Sequence, residues 1–178
     1  MGLFDFLLGK SKKKATTNVN KTIPNPGNNE RNGNQLWLDA MNEVDDEKAE
    51  NLFLKSEKIT ESMVDLHFTY LGLYKLYYRR REQWPNALEK CIEYCKKDIE
   101  IYPQFIQEYM KESNVEPRVP AFQQLAIIYE KQGKYQAAIE VSQLAIKYSQ
   151  RDTTKSGYEG RIERLTRKMR KESDSDKD

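Results

Sequence analysis

Cys91, Cys95 and His67 are the side chains that could ligate a metal or form a nucleophile–base pair. The cysteines are four residues apart on one face of a predicted helix, and His67 is the single histidine of the chain. Two thiolates and one imidazole leave a zinc site one ligand short. A disulfide within one regular helix has poor geometry. Thiols at buried helical spacing behave as small core side chains. There is no GxxxxGK[ST], no GxGxxG after a strand, no HExxH and no GxSxG. No catalytic residue, metal site or cofactor is therefore expected.

Two basic groups could meet anions. In TTKSGYEGR, Thr154, Lys155 and Arg161 can gather at a helix start, where the dipole favours an anion, but no P-loop frame surrounds them. A Gly-containing turn is the expected form. Arg79, Arg80 and Arg81 stand beside Tyr77, Tyr78 and Trp84, a basic and aromatic mixture that nucleic-acid sites use. The surrounding charge argues against that use. Formal net charge is +2, yet residues 35–150 carry fifteen Lys/Arg against nineteen Asp/Glu. Phosphate binding needs several unopposed cations, so nucleic acid is disfavoured as a partner.

The N-terminal MGLFDFLLGKSKKK joins apolar Leu3, Phe4, Phe6, Leu7 and Leu8 to Lys10, Lys12, Lys13 and Lys14. Such a segment can lie on an anionic membrane interface or on a partner. Leu3, Phe4, Phe6, Leu7, Lys12, Lys13 and Lys14 are the residues expected to make a membrane contact. Myristoylation at Gly2 is not expected, because Phe6 stands where the motif needs Ser or Thr. Residues 15–35 are rich in Asn, with two Pro and two Gly, and read as a flexible linker. No apolar run approaches membrane-spanning length, and there is no cleavable secretory signal. A cytoplasmic protein with reduced thiols is expected, membrane-peripheral if the N-terminal segment anchors it.

The rest of the chain must position any site, and it is patterned as helix. Leu36, Trp37, Met41 and Val44 form an apolar group, and Asp45 or Asp46 can cap the next helix. A 3.6-residue pattern from Leu52 to about Tyr78 is either one bent helix or two with a break near Ile59–Ser62. Pro85 is placed to begin a further helix, which carries Ala87, Cys91 and Cys95. Pro103 is placed to start a short helix holding Phe105, Ile106, Tyr109 and Met110. In the stretch 119–150, Phe122, Leu125, Ala126 and Tyr129 share one helical face, and Tyr135, Ala138, Ile139, Ser142, Ala145 and Ile146 share another. Gly133 lies between, suited to a left-handed C-cap. The spacing predicts an antiparallel hairpin.

That hairpin resembles a tetratricopeptide repeat: Phe122, Leu125–Ala126, Tyr129, Gly133, Tyr135, Ala138 and Ala145 stand in register with its motif, with Ser142 in place of the second-helix aromatic. A weaker copy emerges if Ala87 is matched to Ala138, which pairs Tyr78 with Tyr129 and Cys91 with Ser142. The two alanines are 51 residues apart, against a period of about 34 in the family. The surplus corresponds to residues 102–118. The Pro120–Gln123 opening, the LAIIYEKQGKY hairpin and the DTTKSGYEGRI exit resemble a group of small bacterial repeat proteins, which implies a fold and names no activity. Ile162, Leu165 and Met169 give the last helix an apolar stripe suited to capping such a stack.

The resemblance implies an all-α protein of about six to eight helices in tetratricopeptide-type hairpins, with a C-terminal capping helix and a disordered N-terminal arm. The expected organisation is segment 1–14, linker 15–35, helical domain 36–172 and disordered tail 173–178. It also implies a non-catalytic adaptor that binds a protein or peptide in a concave groove, as monomer or homodimer. By family analogy the groove residues are Thr69, Leu76, Arg79, Arg80, Gln123, Ile127, Glu130 and Lys131. Gly72 falls on the same face. Leu76 and Ile127 are apolar at positions that either anchor a partner or pack on neighbouring helices. The carboxylate-clamping members use Lys and Asn there. Ile127 replaces one Asn, so that specificity is not carried over.

Overall fold

The computed structural model describes residues 32–175, and these form eight α-helices and no strand. They are α1 (Gly33–Asn42), α2 (Asp46–Ile59), α3 (Met63–Arg79), α4 (Ala87–Glu100), α5 (Tyr102–Tyr109), α6 (Ala121–Lys131), α7 (Tyr135–Lys147) and α8 (Gly157–Ser175). The protein is all-α. Short connections make neighbours of α1–α2, α2–α3, α3–α4, α6–α7 and α7–α8. α2 packs on α1 and α3, α4 on α3 and α6, and α7 on α6 and α8. α5 packs against α3 and α4. Among the described residues, no helix is long and apolar enough to cross a membrane.

The helix boundaries are set by local chemistry. Asp45 caps α2 by accepting from the Glu47 and Lys48 amides at 3.0 and 3.1 Å. The chain breaks at Thr60–Ser62, so the long pattern is two helices, and Ser62 Oγ accepts from the Asp65 amide at 3.2 Å. The α5 carboxylate Glu108 also serves this end. It accepts from Ser62 Oγ at 2.6 Å and from the Met63 amide at 3.0 Å, a placement that the helix dipole favours. The Ser62 hydrogen bond is the first reason the Glu108 carboxyl lies below its ordinary value. Gly133 has φ +70°, the left-handed conformation its position between α6 and α7 requires.

Several expectations are corrected. α1 begins at Gly33, inside the stretch read as linker, because Asn32 caps it by accepting from the Gln35 amide. α8 continues to Ser175, past the expected boundary of the tail. Pro85 does not begin α4; the helix starts at Ala87, after Asn86 in the left-handed conformation. Met41 and Val44 do not join an apolar group, since both are exposed, Val44 at 94%. The apolar segment 1–14 lies outside the described residues.

The register of the weaker hairpin is also corrected. In burial, Tyr70, Leu73, Tyr74 and Tyr77 of α3 match Phe122, Leu125, Ala126 and Tyr129 of α6. Cys91, Cys95 and Asp98 of α4 match Ala138, Ser142 and Ala145 of α7. Tyr77, not Tyr78, is therefore the counterpart of Tyr129. The connection 80–86 is longer than 132–134, and pairing Ala87 with Ala138 absorbs that excess in the wrong place.

The core runs along α3, with Leu73, Tyr74 and Tyr77 fully buried, and continues through Phe105, Phe122, Leu125 and Leu165. Two carboxylates of α2, one heptad apart, join α2 to that core. Glu50 accepts from Tyr77 Oη at 2.6 Å and Lys90 Nζ at 3.1 Å, and Glu57 accepts from Tyr94 Oη and Lys97 Nζ at 3.0 Å each. α2 and α3 approach closely where Phe53 meets Gly72, and a Cβ on residue 72 would lie 2.1 Å from Phe53 Cζ. Gly72→Ala is expected to destabilise the fold by ~1–3 kcal/mol, with partial recovery in Gly72→Ala/Phe53→Leu. Chemical denaturation measures both, and a neutral Gly72→Ala would disprove this contact.

Candidate functional site

With α3 and α6 in their observed register, the α3 counterparts of Ile127, Glu130 and Lys131 are Lys75, Tyr78 and Arg79. A one-residue slip turns a helix by about 100°, and this is why two expected groove residues are misplaced. Thr69 is fully buried and its hydroxyl pairs with Ser56 Oγ at 2.9 Å. Leu76 is buried in the core. Neither faces a groove. Gly72, read onto the same face, is covered by Phe53.

Tyr78 is the residue that the slip concealed. It joins the ends of α3 and α6: Lys131 Nζ donates to Tyr78 Oη at 3.1 Å and lies 5.8 Å from the ring centroid. The Arg81 guanidinium sits 4.4 Å from the same centroid. A phenol ring with two cations against it is a rigid apolar surface with positive edges. Lys75, one turn before Tyr78, is exposed, and Ile127, one turn before Lys131, is half-buried.

The strip continues onto α8 through Glu130. This carboxylate accepts from Arg164 Nη2 at 2.8 Å, Lys168 Nζ at 3.0 Å and Arg161 Nη1 at 3.2 Å. Burial raises the Glu130 carboxyl, but the hydrogen bonds and charges of Arg164 and Lys168 outweigh it and leave it below its ordinary value. Arg161 is buried, with its side chain 4% exposed, and also pairs with the fully buried Asp152 at 2.9 Å. Asp152 accepts in turn from the Thr154 amide at 2.8 Å. The place in TTKSGYEGR where an anion could have gathered is thus filled from within the chain by Asp152. Burial raises Asp152 too, and the Thr154 amide and Arg161 together bring it below its ordinary value.

The remaining expected groove residues are engaged within the fold. Gln123 bonds Asp152 Oδ1, Thr153 Oγ1 and Arg118. Arg79 and Arg80 both pair with Asp46 at the start of α2. All three arginines that suggested phosphate binding are therefore paired with a carboxylate, Arg81 with the adjacent Glu82 at 3.3 Å. At the surface these helices leave a strip of Lys75, Tyr78, Arg81, Ile127, Lys131, Arg164 and Lys168. Two carboxylates meet its cations: Glu82 pairs with Arg81, and Glu130 with Arg161, Arg164 and Lys168.

Cys91 and Cys95 are fully buried free thiols, and burial pushes the Cys95 thiol well up. His67 is buried as well, stacked 4.2 Å from the Phe105 ring. Its partner, missed in the sequence, is Asp98: Nδ1 lies 2.7 Å from Oδ1. Burial raises the Asp98 carboxyl, against the opposing effect of His67. Asp98 Oδ2 and Tyr74 Oη are buried without a hydrogen-bond partner. In the other hairpin the matching positions are Val119 and Ala145, both buried. Among the described residues, no group of three or more His, Cys, Asp or Glu could hold a metal ion.

Comparison with known proteins finds no matching family model, no matching curated protein and no matching solved structure.

Two outcomes are expected of these clusters. Asp98→Ala leaves a buried imidazole unpaired and costs ~2–3 kcal/mol. His67→Val/Asp98→Ala, which installs the residues of the other hairpin, returns to wild-type stability in denaturant titration; a double variant no better than Asp98→Ala contradicts the match of the two hairpins. Glu130 and Asp152 lie below their ordinary values in the fold. They stabilise it above the normal carboxylate range, and this is lost as pH falls through their lowered values. Amide exchange followed as pH is taken below the normal carboxylate range should therefore quicken in α8 before α7. Equal loss in both helices would show that these carboxylates do not hold α8.

Proposed function

We propose that this chain is a non-catalytic interaction adaptor of tetratricopeptide-repeat type, binding an acidic peptide or helix along the α3–α6–α8 strip. The observation that carries this is Tyr78 held between Arg81 and Lys131, on a face that adds the exposed Lys75 and, around the shared carboxylate of Glu130, Arg164 and Lys168. An aromatic ring with flanking cations is a preferred anchor for a partner, and Ile127 beside it supplies an apolar contact. Side chains link the three helices, Lys131 to Tyr78 between α6 and α3 and Glu130 to Arg161, Arg164 and Lys168 between α6 and α8. The packing order α3–α4, α4–α6, α6–α7, α7–α8 supports two stacked hairpins and a cap, with α1–α2 before them and α5 inserted.

The test is affinity enrichment from the native host's lysate with wild type and Tyr78→Ala/Lys131→Glu. Lys131 is exposed and Tyr78 half-buried at the edge of the core, and circular dichroism must show that the variant keeps its helices. A captured protein should bind wild type directly at least about tenfold more tightly than the variant, with affinity falling as salt rises. A partner set unchanged by the variant would refute this surface as the binding site.

A further inference from the structure

α8 has a second exposed face, opposite the cations that meet Glu130. Glu163, Arg167 and Arg170 are exposed on it, with Ile162, Thr166 and Met169 half-buried between them. Together with Gln136, Ile139 and Gln143 of α7 these residues line a continuous open furrow. One turn beyond Gln143, Ile146 is exposed. None of Glu163, Arg167 and Arg170 belongs to an ion pair among the described residues.

The chemistry of this face is self-complementary about Thr166. Four residues before it stands Ile162, and three after it Met169. Three before it stands the acid Glu163; one and four after it stand the bases Arg167 and Arg170. Two α8 helices laid antiparallel about a two-fold axis at Thr166 bring residue 166 − k of one beside 166 + k of the other. Ile162 then meets Met169 of the second copy, and Glu163 falls between Arg167 and Arg170 of the second copy. These pairs are offset by no more than about two residues, or roughly 3 Å of rise, within the reach of the side chains. Thr166, the small residue at the axis, lets the backbones approach. A parallel arrangement would instead set like charges together.

We propose that a second copy of this chain occupies the furrow, forming a two-fold homodimer through antiparallel α8 helices. A two-fold interface uses the same patch on both subunits, which is what the charge order around Thr166 fits. The face is separate from the Tyr78–Lys131 strip, because Arg164 and Lys168 point to α6. The dimer therefore leaves the strip open and gives the assembly two of them, related by the same axis. Neither proposal depends on the other.

Sedimentation velocity of the full chain over a concentration series tests this, with circular dichroism to show that each variant is folded. The wild type is expected to dimerise. Glu163→Arg, and separately Arg167→Glu/Arg170→Glu, should each raise the dimer dissociation constant by about tenfold or more. The triple variant Glu163→Arg/Arg167→Glu/Arg170→Glu, which reverses every sign, should restore it. A wild type that is monomeric at about 100 μM overturns the proposal. So does a dimer unmoved by the reversals, or a triple variant that fails to recover.

Discussion

The buried guanidinium of Arg161 is the constraint on which the placement of α8 rests. It holds the 151–156 connection through Asp152 and α6 through Glu130, so it fixes where α8 begins and which way it turns. A buried charge is costly unless every partner is in place. Here the fully buried Asp152 and the half-buried Glu130 supply those partners. Arg164 and Lys168 then meet Glu130 from the next turns of the helix. The result is a helix locked along the stack, with one cationic face towards α6 and another face left outward.

The two hairpins solve one packing problem with different residues. α6 and α7 use Ala126, Ala138 and Ala145, small side chains that let helices approach. α3 and α4 place Tyr74, Cys91 and Asp98 at the matching positions. The larger groups need polar partners, and His67 beside Asp98 is the response. α5 adds to this, since Phe105 covers the His67 ring and Glu108 caps α3. The surplus segment between the hairpins thus closes the less regular one. The same hairpin is tied to α2 by Glu50 and Glu57, and Phe53 packs into the space left by Gly72.

Much of the fold was legible in the sequence because helical periodicity is a local property. The α6–α7 hairpin, its Gly133 turn, the short α5 around Pro103 and the apolar stripe of α8 all come from spacing alone. The two cysteines were legible as core for the same reason. The exposed strip along α3, α6 and α8 was only partly legible. Gln123, Ile127, Glu130 and Lys131 were placed on α6 by a motif in good register, and Lys131 does meet Tyr78. On α3 the motif is weak, and the loop 80–86 has a length that no local signal fixes. Thr69 and Leu76 were consequently assigned to a surface when both are buried.

By itself the sequence determined the all-α class, the helix order and the absence of the common catalytic motifs, since composition, caps and 3.6-residue spacing act within a few turns. Only the tertiary structure decided which face of α3 is covered, because that depends on Phe53 of α2 finding Gly72 across the helix interface. It alone paired His67 with Asp98, Arg161 with Asp152 and Glu130, and Arg79 and Arg80 with Asp46, joining residues 9 to 34 positions apart. Charges so placed lose or gain meaning by what stands opposite them. Of the three adjacent arginines, two reach across to Asp46 of α2, while Arg81 pairs locally with Glu82 and the Tyr78 carbonyl.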